Sequence, residues 1–144
     1  MILPDVNVLV FAFRRESVRH REYAGWLTGV VGGGEELALH EAPLAGFVRI
    51  VTNARIFAQP APAEVALDFV ARLVAAGRSR WLVAPGPTWA RFDALLRDDA
   101  GVTANLVPDA LLASLALTHG CRLATADRGF ARYPGLAWFD PVAA

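Results

Sequence analysis

MILPDVNVLV, residues 1–10, puts an aspartate at the point where an apolar run should hand over from a strand to a helix or loop. The arrangement returns at Asp109 in NLVPDALLASLAL (105–117) and at Asp127 in CRLATADRGFARYPGL (121–136). An ionised carboxylate among so much Leu, Val and Ala is costly to bury unless something positive compensates it, and a hard cation with oxygen ligands is a suitable partner. Three acids so placed point to a divalent-metal site.

Outward from these segments, apolar runs alternate with helical patterns, the signature of an α/β fold with a mainly parallel sheet. Met1 to Pro4 reads as a short strand, with Pro4 as its last residue because it lacks an N–H donor. Ser17 is placed to cap a helix reaching about Val31, with Tyr23, Leu27, Val30 and Val31 at helical spacing and Gly32, Gly33 and Gly34 ending it. Leu37 to His40 is the second strand. Pro43 suits the first turn of a helix carrying Leu44, Phe47, Val48 and Val51. Pro62 opens another, with Ala66, Phe69, Val70, Leu73 and Val74, ended by Gly77. Trp81 to Ala84 is the third strand, and Thr88 caps a helix through Trp89, Phe92, Leu95 and Leu96. Pro108 begins the helix of Asp109, whose apolar face is Leu111, Leu112, Leu115 and Ala116, with Gly120 past its end. Arg122 to Ala126 and Leu136 to Phe139 complete five strands. No internal repeat and no low-complexity linker interrupts the pattern, so residues 1–144 form a single domain.

On this layout Asp5 follows strand one, Glu41 strand two and Asp127 strand four, and Asp109 joins them if its helix starts at the same edge. The carboxyl edge of an open α/β sheet is where ligands bind, so acids distant in sequence can converge there without a short motif. Each acid has a plainer reading alone, since an Asp at a helix start is more often a cap than a ligand. Four of the fourteen acids on one rim favour a shared site over four separate caps.

Composition narrows the function classes. Fourteen basic residues balance fourteen acids, so no global basic field announces nucleic-acid binding and any polyanion must be caught locally. All fourteen are Arg, which excludes a phosphate-loop lysine and a Schiff-base lysine. Cys121 is the single cysteine, which rules out an internal disulfide or a cysteine-rich zinc site and favours a reducing compartment. Asp5 interrupts the first apolar run and no basic segment precedes it, unlike a signal peptide. No run approaches the ~20 apolar residues that span a bilayer, so a cytoplasmic protein without membrane contact is expected.

Four segments carry a resemblance: LPDVNVLV, GFVRIVTNARIF, NLVPDALLASLAL and LATADRGFARYPGL, in this order and at this spacing, resemble the PIN-domain toxins of bacterial VapBC toxin–antitoxin modules. The similarity runs from Leu3 to about Pro141. It implies a PIN-like three-layer sandwich, a central five-stranded parallel sheet flanked by helices, and an endoribonuclease dependent on Mg²⁺ or Mn²⁺. Asp5, Asp109 and Asp127 match the three family aspartates, and Asn7 the small polar residue that follows the first. Many PIN domains carry a glutamate where this chain has Gly46. Glu41, five residues earlier, either reaches the same cluster or is an ordinary first-turn acid. The resemblance further implies a cognate VapB-like antitoxin, a structured RNA substrate such as a tRNA or ribosomal RNA loop, and a homodimer. In such pairs an antitoxin side chain commonly occupies or approaches the acidic site.

For the chemistry of such a site, Asp5 and Asp109 are expected as direct metal ligands, with Asp127 direct or through water. Asn7, Asn105 and Thr125 are candidates to orient a carboxylate, each with a local turn or strand role as the plainer reading. His20, His40 and His119 lack the spacing of a shared zinc site. Arg14, Arg15, Arg49, Arg55 and Arg128 are the candidate RNA contacts. The positive mean hydropathy suggests that another chain covers some helix faces. Two rival readings stand beside the nuclease. One is a degenerate, weakly active domain that mainly binds antitoxin or RNA, which Gly46 favours. The other is a phospho-receiver-like or dehalogenase-like domain with an aspartyl nucleophile, which the absence of lysine disfavours.

Overall fold

The computed structural model describes residues 1–143. Five short strands, β1 (Ile2–Pro4), β2 (Leu37–Leu39), β3 (Ser79–Trp81), β4 (Arg122–Ala124) and β5 (Trp138–Phe139), form one sheet in the order β3-β2-β1-β4-β5. Every pairing is parallel, with Ile2 opposite both Leu37 and Arg122, and Pro4 opposite Ala124. A parallel sheet needs a crossover between successive strands, and here helices supply most of it. They are α1 (Val6–Phe13), α2 (His20–Val31), α3 (Glu41–Val51), α4 (Ala63–Val74), α5 (Pro85–Asp98) and α6 (Val107–His119).

The helices divide between the two faces, giving three layers. Val8, Leu9, Tyr23, Leu27, Phe47 and Leu73 from α1 to α4 pack with Leu37 and Leu39 of β2. Leu112, Ala113 and Ala116 of α6, with Phe92 and Leu95 of α5, pack with Leu3, Ala38 and Leu123 on the opposite face. Alternation along β2 thus sends Leu37 and Leu39 one way and Ala38 the other, as a strand buried on both faces requires. No helix of the described residues is long and apolar enough to cross a membrane.

Several elements differ from the sequence reading. The helix α1 is not legible in it: VNVLVFAF is apolar throughout and rich in β-branched Val, so it shows no helical period, yet Asp5 caps it and the chain turns directly from strand to helix. The second helix starts at His20, not at Ser17, because Arg19 takes a left-handed conformation (φ 62°) at its N-cap. β3 lies at residues 79–81, not 81–84, since Pro85 already occupies the first turn of α5 and Ala84 its N-cap. For the same reason Thr88 lies inside that helix and does not cap it. β2 and β4 end at Leu39 and Ala124, and β5 begins only at Trp138. The remaining helix starts hold: α3 includes Pro43 in its first turn, Pro62 stands at the N-cap of α4, and α6 runs from Val107 to His119 with Gly120 after it.

Candidate active site

Asp5 leaves β1 at the carboxyl edge of the sheet, and its side chain is only 6% exposed. Three donors hold the carboxylate. Val6 N–H donates to Oδ1 at 2.6 Å, while Asn7 Nδ2 at 2.9 Å and Thr125 Oγ1 at 2.7 Å both donate to Oδ2. Thr125, fully buried at the end of β4, also accepts from Asn7 Nδ2 and from the Asp127 N–H at 3.0 Å. Asn7 Oδ1 accepts from Ala126 N–H at 3.2 Å. Asn7 and Thr125 therefore fasten the β1–α1 junction to the segment that carries Asp127. Burial raises the Asp5 pKa above the ordinary carboxylate value, the three donors oppose the rise, and the Asp127 charge adds to it.

Asp127 begins a short 3₁₀ turn, Arg128–Arg132, and accepts from Gly129 N–H at 2.7 Å through Oδ1. A Cβ on residue 129 would stand 2.9 Å from that same oxygen, so the lack of a side chain at Gly129 lets the carboxylate fold back onto the turn. Asp109 sits in the first turn of α6, where the helix dipole favours an anion. Among the described residues nothing donates a hydrogen bond to its side chain. Burial, then the charges of Asp5 and Asp127, push its pKa up to about 6. The charges of Asp5 and Asp127 felt by Asp109, and that of Asp127 felt by Asp5, place the three carboxylates in one electrostatic neighbourhood. None of them forms an ion pair with an Arg or His among the described residues.

A cavity of about 350 Å³ opens beside Asp5 and Asp109, between α3 and α6. Arg49, Ile50 and Gly46 of α3 line one side, Leu111, Leu112 and Leu115 of α6 the other, and Asn105 its rim. Glu41 does not line it: its side chain is 79% exposed, with His40 Nε2 at 3.8 Å as its charged neighbour. Gly46, on the cavity wall, also approaches α1, where a Cβ would come within 3.2 Å of Val6 Cγ2. The histidines serve the backbone. His40 Nδ1 accepts from Ala42 N–H at the start of α3, and His20 and His119 bond the carbonyls of Phe11 and Leu115. Of the candidate RNA-contacting arginines, Arg14 is committed to Glu16, the Gln59 carbonyl and the Phe57 ring, whereas Arg15, Arg49, Arg55 and Arg128 form no ion pair among the described residues.

The donor set is oxygen-only and lacks any compensating cation, which suits a hard divalent ion. No group of three or more His, Cys, Asp or Glu side chains among the described residues stands close enough to hold an ion directly. A cation held by these aspartates would have to keep part of its water shell. Thr125, one of the candidates to orient a carboxylate, does so for Asp5, a partner 120 residues away. Its position two residues before Asp127, at a strand end, is the only local signal.

Residues 2–136 match the PIN domain family. Ribonuclease VapC43 of Mycobacterium tuberculosis is 38% identical over 142 residues, spanning 99% of this chain and 96% of the relative. The chain belongs to the VapC ribonucleases of the PIN domain family. A second member, ribonuclease VapC37 of the same organism, is 36% identical over 150 residues, covering 99% of each. Among solved structures, VapBC2 of Rickettsia felis bound to a promoter DNA fragment aligns with a TM-score of 0.69 at 18% identity, over 97% of this chain and 98% of that one. VapC20 of Mycobacterium tuberculosis, described as a toxin cleaving the sarcin–ricin loop, aligns at 0.65 and 15% identity, over 91% and 93%. At these identities the structural likeness speaks for the PIN fold. As a VapC-family member, the chain is a ribonuclease, with its three aspartates on the sheet edge where α/β folds bind ligands.

Proposed function

We propose that the protein is the toxin of a type II toxin–antitoxin module and hydrolyses phosphodiester bonds in a structured RNA with the help of Mg²⁺, or Mn²⁺ in its place. The observation that carries this reading is the set of three aspartates without an ion-pair partner among the described residues, two of them, Asp5 and Asp109, lining an open cavity at the carboxyl edge of the sheet. Asp5 and Asp109 are the residues to hold the cation, with Asp127 direct or through water. A bound divalent ion would lower the pKa of an attacking water and offset charge on the phosphoryl oxygens. The chain's own part is positional. Val6, Asn7 and Thr125 fix both oxygens of Asp5, and the dipole of α6 favours Asp109 as a carboxylate.

An unstacked loop of tRNA or ribosomal RNA is the substrate class that suits sequence-selective recognition by such a site. For the antitoxin we assign the larger groove between α2 and α4, lined by Phe13, Leu27, Val65 and Phe69 with Arg15 and Arg72 at its rim. An apolar floor with basic edges suits an amphipathic acidic helix. A cytoplasmic homodimer completes the reading, and sedimentation velocity across a concentration series tests it. Glu41, exposed and outside the cavity, is assigned no part in the chemistry.

The test of the function is sequencing of RNA 5′ ends after brief expression of the native protein and of Asp5→Asn in cells lacking the antitoxin. New ends at one loop, present only with the native protein, are expected. Identical profiles with both proteins soluble would instead support the degenerate binding module.

A further inference from the structure

Arg49 is singled out by what surrounds it. Six of the fourteen arginines form ion pairs with acids, namely Arg14, Arg19, Arg80, Arg97, Arg122 and Arg132. Among the described residues Arg49 forms none, although its cavity also contains Asp5 and Asp109. It is the one arginine lining that cavity. Side chains one turn away on a helix are neighbours, and those positions around Arg49 hold Ala45, Gly46, Thr52 and Asn53, none of them acidic. Nothing on its own helix therefore ties the guanidinium down. The remaining walls, Ile50, Leu111, Leu112 and Leu115, offer no charge either.

An exposed, unpaired guanidinium at the mouth of an acidic site has two electrostatic options. It can collapse onto the carboxylates, which the structure does not show, or it can meet an anion that enters with the substrate. Its planar fork matches phosphate oxygens bidentately, in a way that a solvated ammonium does not. The apolar walls beyond it suit the face of a ribose or an unstacked base better than a second phosphate.

Resting on the ribonuclease reading above, we infer that Arg49 is the phosphate-binding residue of the cleavage site: it receives the substrate phosphate next to the aspartates and holds the RNA strand across the cavity. Arg49 would touch substrate, and its loss should weaken RNA binding itself as well as turnover. Arg78 provides the control. It is exposed and immediately precedes β3, so it lies at the opposite edge of the sheet from the site.

The experiment measures binding of a mixed-sequence single-stranded oligoribonucleotide in an Asp109→Asn background that does not cleave. A salt series is run for this parent and for the same protein carrying Arg49→Gln, Arg49→Lys or Arg78→Gln. Cleavage by Asp109-intact protein in Mg²⁺ is measured in parallel. Arg49→Gln should lower affinity by roughly tenfold or more. It should also reduce the slope of log K against log salt by about 0.7, the share of one phosphate contact on a single strand. Arg49→Lys should restore the slope but not all of the affinity, and Arg78→Gln should match the parent. Equal slopes and affinities for the parent and the Arg49→Gln protein, with cleavage intact, would overturn the inference alone. Failure of the Asp109-intact protein to cleave any RNA would remove the ribonuclease reading and this inference with it. Melting temperatures of the exposed-site variants establish that each is folded.

Discussion

Burial, and then the charges of Asp5 and Asp127, push the Asp109 carboxyl from 3.8 up to about 6, and among the described residues nothing donates a hydrogen bond to it. The sign of the consequence follows from linkage: a carboxyl whose folded pKa is raised binds its proton more tightly when folded, so stability falls as pH rises from about 4 through 6 and stays lower above. Asp109→Asn should therefore stabilise the metal-free protein at pH 7.5 and leave it unchanged at pH 3.5. After discounting for the partial solvent exposure of the group, the gain should be about 1–2 kcal/mol, or roughly 3–8 °C in Tm. Calorimetry at the two pH values checks this, and a loss of Tm at pH 7.5 would contradict it. At this scale the three aspartates were legible because each marks the end of an apolar run, a local signal. Thr125 and Arg49 could be named only as candidates, since one acquires its partner, Asp5, across the sheet and the other its cavity from the facing α6.

At the level of elements, Asp5 serves two purposes at once, capping α1 and anchoring the site. The two can be separated. Asp5→Ala removes the cap and should cost about 0.5–2 kcal/mol. Asp5→Asn keeps an oxygen for Val6 N–H and sheds the buried charge, so it should unfold at a higher urea concentration than Asp5→Ala, while both proteins lose cleavage. The junction of α1 and α3 gives a second test. Because a Cβ at residue 46 meets Val6 Cγ2 at 3.2 Å, a glutamate there cannot be accommodated without displacement. Gly46→Glu should destabilise by about 1–3 kcal/mol. Adding Val6→Ala should recover part of that loss, a non-additive pair in urea denaturation, as expected of neighbours in contact. Element boundaries were least legible where a neighbour decided them: α1 was assigned no element because its run of apolar residues shows no helical period, and β3 slipped by two residues because Pro85 claims the start of α5.

For the whole molecule, the parallel order of the sheet is what turns three remote acids into one rim, and that much followed from the alternation of strands and helices alone. The rim stores repulsion that a divalent cation would relieve, so binding should appear as stability of the entire domain. Mg²⁺ should raise the Tm of the native protein at pH 7.5, raise it less at pH 5 where Asp109 is largely protonated, and leave Asp109→Asn nearly unmoved. A thermal shift of equal size in all three cases would show that the ion binds elsewhere. The surface was less legible than the core. Trp81, Val83 and Trp89 stand 47%, 81% and 63% exposed around β3 and the start of α5, where sequence alone gave no reason to place them outside.

The pairing of Ile2, Leu3 and Pro4 with Arg122, Leu123 and Ala124 has a consequence for the birth of the protein. A ribosome makes Asp5 120 residues before it reaches Thr125, the residue that donates to it. Contacts so far apart form only after all of the intervening chain has emerged, which at ordinary synthesis rates takes several seconds or more. A prematurely terminated product that stops before β4 lacks both the central strand pairing and Asp127. The nuclease thus comes into being late in its own translation, and a copy cut short before β4 carries Asp5 and Asp109 without the strand and the third aspartate that complete the site.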